Sequence, residues 1–149
     1  MSEPASPETD PVRRGRGSSR SRARKRALDI LFESELRDVD SITTLEERTA
    51  ASDPPVREYT AALVRGVATH AGEIDERISA SLASGWSLPR IPRVDRNAMR
   101  IAVYEIDYGE IPDAVAISEA VQLVSELSTD ESPAFVNGVL RAVATSRVG

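Results

Sequence analysis

Positive charge is concentrated in one stretch near the N-terminus of the chain. Residues 13–26 read RRGRGSSRSRARKR and hold eight Arg or Lys and no acidic residue. Seven of the eight are Arg, whose planar guanidinium suits phosphates and base stacking better than the Lys ammonium does. From residue 27 onward the chain carries eleven basic and twenty-one acidic residues. This asymmetry predicts an acidic body whose basic arm binds an anionic partner.

A second candidate site lies in SPAFVNGVL, residues 132–140. The Asn-Gly pair at 137–138 is a strong hairpin signal, but neither flank alternates as a strand would. Ser132 as a cap followed by Pro133 predicts a helix start instead. Phe135 then falls in the first turn, beside an anion-binding helix terminus. Because Gly costs about 1 kcal/mol in a helix interior, we expect this glycine to admit the close approach of another backbone or of a ligand.

No pattern of an enzyme or a metal site accompanies these stretches. The chain has no Cys and one His, His70, which lies on an apolar stripe and is interpreted as structural. No glycine-rich phosphate loop and no nucleophile elbow is present. Trp86 could stack on a base, but we interpret it as an aromatic wedge between subdomains.

RNA is the favoured partner of the basic arm, although a charged tail without function is the alternative. The basic residues continue into a predicted helix rather than stopping in the tail, which favours function. Single-stranded RNA is preferred to duplex DNA because the chain has no helix-turn-helix or zinc motif to read a groove.

Helical periodicity dominates the chain and predicts an all-α fold of about seven helices. Apolar residues recur at helical spacing from Arg20 to Leu36, and again in six later segments. A short helix is expected over 41–51, and Asp95 and Ser132 are expected to cap two of the later helices. Six positions on these stripes are predicted to be buried: Leu31, Leu63, Val103, Ile117, Val124 and Leu140.

The predicted organisation is a tail followed by one domain. Residues 1–19 lack the apolar content needed to fold and are expected to be disordered. The domain spans 20–149, with subdomains at about 20–85 and 93–149 joined by the Pro- and Gly-containing ASGWSLPRIP. We expect a cytoplasmic protein, since there is no Cys, no bilayer-length apolar run and no signal-peptide pattern.

Four stretches together resemble the NusB family of transcription antitermination proteins. They are RARKRALDILFESEL at 22–36, VDRNAMRIAVYEI at 94–106, VAISEAVQLVSELS at 115–128 and SPAFVNGVL at 132–140. The likeness covers roughly residues 20–145. It implies a helical fold of two small subdomains. Because no enzyme motif is present, we expect no enzymatic activity and no cofactor. It also implies binding of boxA-type single-stranded RNA in nascent ribosomal transcripts, together with NusE, a small-subunit ribosomal protein. The transcription elongation complex, with RNA polymerase and other Nus factors, would be a further partner.

The resemblance also assigns residues to two surfaces. The implied RNA-binding residues are Arg20, Arg22, Arg24, Lys25, Glu131, Phe135 and Asn137. The implied NusE-facing residues are Phe32, Leu36 and Asp95. Asn137 would either anchor its turn or meet a base edge. One departure is Pro133-Ala134, where relatives often carry a basic residue, so we expect RNA affinity to rest mainly on the arm.

Two alternatives remain from other classes. The same helical fold resembles the RNA-recognition module at the N-terminus of ribosomal RNA 5-methylcytosine methyltransferases, but those need a Rossmann-like domain that we do not expect here. The other alternative is a structural homodimer with no RNA role, with Gly66, Met99 or Trp86 near the self-interface.

Overall fold

The computed structural model describes residues 18–51 and 54–146. These residues form seven α-helices and one 3-10 turn at Leu88–Arg90, and none of them lies in a β-strand. The helices are α1 Ser19–Arg37, α2 Ser41–Ala51, α3 Glu58–Thr69, α4 Ala71–Ala80, α5 Arg93–Tyr108, α6 Asp113–Leu127 and α7 Ser132–Ser146. The predicted all-α fold of about seven helices is confirmed.

Local signals explain most helix boundaries. Ser18 caps α1 by accepting a hydrogen bond from the Ser21 amide at 3.0 Å, and Asp38, the C-cap that follows Arg37, has the left-handed conformation. Pro92 and Pro112 stand immediately before α5 and α6, where the missing proline N–H costs nothing. The helices therefore begin and end where caps and prolines allow.

Two predicted caps are wrong. Asp95 lies in the first turn of α5, whose N-cap is Pro92, and its carboxylate accepts a hydrogen bond from Ser132 Oγ at 2.8 Å. Ser132 is itself the first residue of α7 and donates to Asp95 instead of capping its own helix. A buried side-chain hydrogen bond between α5 and α7 therefore forms in place of the two predicted helix caps.

Helix α5 lies at the centre of the fold. It packs against α1, α3, α4, α6 and α7, and six of its apolar side chains belong to the core: Ala98, Met99, Ile101, Ala102, Val103 and Ile106. The core is one cluster that draws on both halves of the chain. The proposed division into subdomains stays a prediction.

The stripes identified the core well, with one exception. Leu31, Leu63, Val103, Val124 and Leu140 are buried as predicted. Ile117 is only partly buried, because it lies at the edge of the core, on a groove between α6 and α7. The prediction that Ile117 is fully buried is therefore wrong.

The predicted disordered tail, residues 1–19, lies outside the described residues except for its last two. Ser18 and Ser19 are the N-cap and the first residue of α1, so the helix begins slightly earlier than the predicted Arg20.

Candidate nucleic-acid interface

The start of α1 presents three of the four predicted basic residues to solvent. Arg20, Arg22 and Lys25 are exposed. The Arg20 guanidinium lies over the Tyr59 ring, 4.1 Å from its centroid, an arrangement that holds the cation in a fixed place. This part of the surface can meet phosphates.

Arg24 is not part of that surface, and its assignment to RNA binding is wrong. Its side chain is 4% exposed, and its Nε donates to the Glu105 carboxylate at 2.9 and 3.1 Å. A second contact joins its guanidinium to Glu119 at 3.4 Å, and the Tyr59 hydroxyl also donates to Glu105. Arg24 falls on the same stripe as Ala27 and Leu28, which turns it toward α5. Its charge neutralises a buried carboxylate and is not available to RNA.

Burial and pairing act in opposite directions on Glu105. Desolvation raises the pKa of this carboxyl above its usual range, while the charge of Arg24 and the Tyr59 hydrogen bond pull it down. The same environment raises the pKa of Tyr59, through burial first and then through its bond to Glu105. The network therefore depends on Arg24.

The three RNA-binding residues predicted at the start of α7 lie in different environments. Glu131 is exposed just before the helix. Phe135 is partly buried against the core, and its ring centroid lies 5.7 Å from that of Trp86 with a tilt of 40°. Asn137 instead lines the groove of about 620 Å³ between α6 and α7, together with Arg141. Asn137 thus lines the groove between α6 and α7, whereas Phe135 lines a separate cleft together with Trp86.

Three expectations about small and aromatic residues need correction. A Cβ at Gly138 would meet nothing within 4 Å, so no neighbour packs closely there. Trp86 is 53% exposed and contacts Phe135 from the surface, so it is not a buried wedge. Gly66 and Met99 are buried inside the molecule, where a self-interface cannot reach them.

The residues assigned to NusE binding also differ in their exposure to solvent. Leu36 is 57% exposed near the end of α1, and Phe32 is partly buried one turn earlier. Asp95 is 2% exposed and faces Ser132, so its place at the rim of a partner surface is wrong. An acid in a first helical turn is typical of an exposed position, but here α7 packs on α5 and Ser132 bonds to the carboxylate.

Glu35 fixes the end of α1 against α5. It accepts hydrogen bonds from Arg96 at 2.8 Å, Arg100 at 2.8 Å and Asn97 at 3.1 Å. Burial alone would raise its pKa, but the two arginines outweigh burial and hold the pKa below its usual range. The position of Leu36 therefore rests on an ion-pair network that the sequence did not reveal.

The predicted RNA surface has two parts, the start of α1 and the start of α7, and they lie toward opposite ends of α5. Arg24 pairs with Glu105 near the end of that helix, whereas Ser132 bonds to Asp95 in its first turn. Ten residues of helix span about 15 Å. An RNA that contacts both regions must extend over that length.

No other chemistry stands out in the described residues. Residues 18–51 and 54–146 contain no group of three His, Cys, Asp or Glu able to hold a metal ion. Within the same ranges no helix is long and apolar enough to cross a membrane. The His70 ring stacks on that of Tyr108 with centroids 3.7 Å apart, in keeping with a structural role.

Comparison with known proteins gives a consistent result. The model of the NusB family matches residues 21–145. The transcription antitermination protein NusB of Nocardioides sp. (strain ATCC BAA-499 / JS614) is 51% identical over 131 residues, covering 87% of this chain and 96% of the relative. That of Acidothermus cellulolyticus is 53% identical over 130 residues, covering 87% and 89%.

Solved structures agree with the sequence comparison. NusB of T. maritima superposes with a TM-score of 0.78 at 35% identity, covering 89% of this chain and 94% of that one. The crystal structure of antitermination factors NusB and NusE in complex with dsRNA contains a chain that matches with a TM-score of 0.76 at 28% identity, covering 86% and 97%. The family match spans nearly all described residues, including Arg22 and Lys25 of α1 and the start of α7. The chain belongs to the NusB family.

Proposed function

We propose that this protein is an RNA-binding transcription antitermination factor. With NusE it binds boxA-type single-stranded RNA in nascent ribosomal transcripts and supports processive transcription of ribosomal RNA in the cytoplasm. It acts by binding, without catalysis. RNA polymerase and other Nus factors are its further partners, and a homodimer is an additional expectation.

The observation that carries this proposal is the exposed basic start of α1 on an otherwise acidic protein. Arg20, Arg22 and Lys25 reach solvent within two turns of helix, and stacking on Tyr59 holds Arg20 in place. Phosphate contacts dominate the affinity of most nucleic-acid complexes, and they account for its salt dependence. Together with the family membership and a structural relative solved with NusE and dsRNA, this supports RNA as the class of ligand.

The proposed NusE surface is centred on Phe32 and Leu36. An exposed Leu beside a partly buried Phe offers the apolar contact that lengthens residence time, while the acidic body steers a basic ribosomal protein toward it. Asp95 has no part in this surface.

RNA binding is tested by a titration with boxA-like RNA, a scrambled single strand and a duplex. We expect the boxA-like strand to bind most tightly, with a log–log salt slope of about −0.7 for each phosphate contact. Arg22→Ala combined with Lys25→Ala should weaken binding and flatten the slope by one to two contacts. Arg65→Ala, an exposed arginine on α3, is the matched control. Equal affinity for all three RNAs would reduce the proposal to nonspecific charge binding.

Partner binding is tested separately with Leu36→Ala. We expect weaker binding of NusE and unchanged binding of RNA alone, although RNA affinity in the joint complex falls through linkage. Leu127→Ala is the control, since Leu127 is a 40% exposed apolar residue on α6. If the arginine and lysine substitutions abolish NusE binding and leave the RNA salt slope unchanged, the two surfaces are wrongly assigned.

A further inference from the structure

Tyr59, on α3, contacts the basic start of α1 although it lies far along the chain from Arg20. Its ring lies under the Arg20 guanidinium, whose central carbon is 4.1 Å from the ring centroid. We infer that Tyr59 is a positioning residue of the RNA-binding surface, whose ring holds Arg20 so that the guanidinium edge meets an RNA phosphate. This inference rests on the proposed RNA binding and adds to it an uncharged residue from outside the basic arm.

The Tyr59 ring is a fixed support, because both its packing and its hydroxyl hold it in place. Tyr59 is partly buried and packs against the hydrophobic core. Its hydroxyl donates a hydrogen bond to the carboxylate of Glu105, which is itself buried and paired with Arg24. Burial and this bond to Glu105 both raise the pKa of Tyr59, so the hydroxyl remains a donor at neutral pH. The ring can therefore hold a surface side chain in one place.

Stacking leaves the hydrogen-bonding edge of the Arg20 guanidinium available. A guanidinium over a ring contacts it through its planar face, while its five N–H donors lie in the plane and point outward. Arg20 is exposed, and no carboxylate in the described part of the chain forms an ion pair with it. Arg24, one helical turn later, lies 5.7 Å from the same ring centroid, but its Nε donates to Glu105. Of these two arginines, Arg20 is the one that can bind a phosphate.

A cation that is already oriented binds a phosphate more tightly than a mobile one. An exposed Arg side chain samples many rotamers, and binding has to restrict them. Because the Tyr59 ring restricts Arg20 in the free protein, less side-chain entropy is lost when RNA binds. A bidentate bond to phosphate also requires one orientation of the guanidinium plane, which stacking selects. Tyr59 therefore contributes to RNA affinity without contacting the RNA.

Two substitutions at Tyr59 separate its ring from its hydroxyl. Tyr59→Phe removes the donor to Glu105 and keeps the ring, so this conservative variant should lose thermal stability but retain at least about half of the RNA affinity. Tyr59→Leu removes both groups and should bind RNA about 2- to 5-fold more weakly than Tyr59→Phe, the usual effect of an exposed cation–π contact. Tyr108→Leu removes a 41% exposed ring at the end of α5 and should leave the affinity unchanged.

A double-mutant cycle tests whether Tyr59 acts through Arg20. In the Arg20→Ala background, Tyr59→Leu should change RNA affinity by less than about 1.5-fold relative to Tyr59→Phe, because the cation that the ring holds is absent. Thermal unfolding of every variant establishes that the titrations are made well below the unfolding midpoint.

NMR of the Arg20 side chain gives a measurement on the parent protein itself. The ring current of Tyr59 should shift the Arg20 Nε–H signal upfield in the parent and in Tyr59→Phe. Adding boxA-like RNA should move this signal with the same midpoint as RNA binding followed by anisotropy. The contact is thus tested even if Tyr59→Leu does not fold.

The outcomes separate this inference from the proposed function. If Tyr59→Leu and Tyr59→Phe bind RNA equally well, or if their difference persists in the Arg20→Ala background, the ring does not position Arg20 and the proposed function stands. An Arg20 signal that does not move when RNA binds has the same meaning. Absence of binding to any RNA refutes both proposals.

Discussion

Replacing Arg24 with Ala should destabilise the fold severely, although Arg24 stands in the middle of the basic arm. The Arg24 and Glu105 side chains are 4% and 1% exposed. The substitution leaves a carboxylate in the core, with the Tyr59 hydroxyl as its remaining donor among the described residues. Breaking a buried ion pair from one side costs about 3–5 kcal/mol. We therefore expect a loss of that size in the free energy of unfolding at pH 7.

The loss should shrink as the pH falls. Burial already raises the pKa of Glu105 above its ordinary 4.5, and removing Arg24 takes away the charge that opposes this rise. Between 4.5 and the raised value, the folded variant binds a proton that the unfolded chain does not. Its stability therefore increases as the pH is lowered through that window, so the deficit relative to the parent narrows. Urea denaturation at pH 7 and pH 5 measures both effects.

The matched control is Arg22→Ala, an exposed arginine two residues earlier on the same helix. It should change the free energy of unfolding by no more than about 0.5 kcal/mol at either pH. If Arg24→Ala is as stable as Arg22→Ala, or if its deficit is the same at both pH values, the buried pair does not support the core as argued.

Four further substitutions test the packing and the electrostatics. Gly66→Ala would force a Cβ into the Tyr104 ring and should lower stability by about 1–3 kcal/mol, whereas Gly138→Ala meets open space and should raise it by up to about 1 kcal/mol in thermal unfolding. Glu35→Gln should remove the part of the acid-induced loss of stability that appears as the pH falls below about 4.5, because the pKa of Glu35 is held low by its arginines. Leu140→Ala, at a fully buried position, should cost about 2–5 kcal/mol in urea denaturation.

The helices were predictable because each signal for them is local. Apolar spacing and prolines are read within one segment, and the predicted helix over 41–51 agrees with α2 residue for residue. The predicted caps failed because a side-chain oxygen has several possible partners. Ser132 and Asp95 are 37 residues apart, and only the packing of α7 on α5 brings them together.

The site was predictable in part, and the wrong assignment of Arg24 to RNA binding could have been avoided. Arg24 stands three and four residues before Ala27 and Leu28, so the apolar stripe of α1 already pointed it inward. Glu105 stands on the stripe of Ala98 and Ala102 in the same way. Opposite charges on the buried faces of two helices indicate a buried ion pair. The sequence prediction missed this pair because it considered the charge of Arg24 without its position on the helix.

The exposure of Trp86, by contrast, could not be predicted from the sequence. Its position in an irregular loop gives no periodicity from which exposure could be read, and its ring partner Phe135 lies far along the chain. The lack of a donor to Asp95 Oδ1 among the described residues is likewise a property of packing and not of sequence. The cleft that these side chains line between the loop and the helix can be found only once both are in place.

The central position of α5 also governs the order in which the chain can fold during its synthesis. Helices α1 to α4 leave the ribosome first, but the apolar faces that they turn toward α5 stay uncovered until Tyr108 has emerged. The nascent first half therefore exposes an apolar surface for as long as the ribosome takes to add α5, a period in which chaperones can bind it. Once α5 has docked, its central amides can exchange with solvent only when the whole molecule opens, so they should be among the slowest to exchange in the chain.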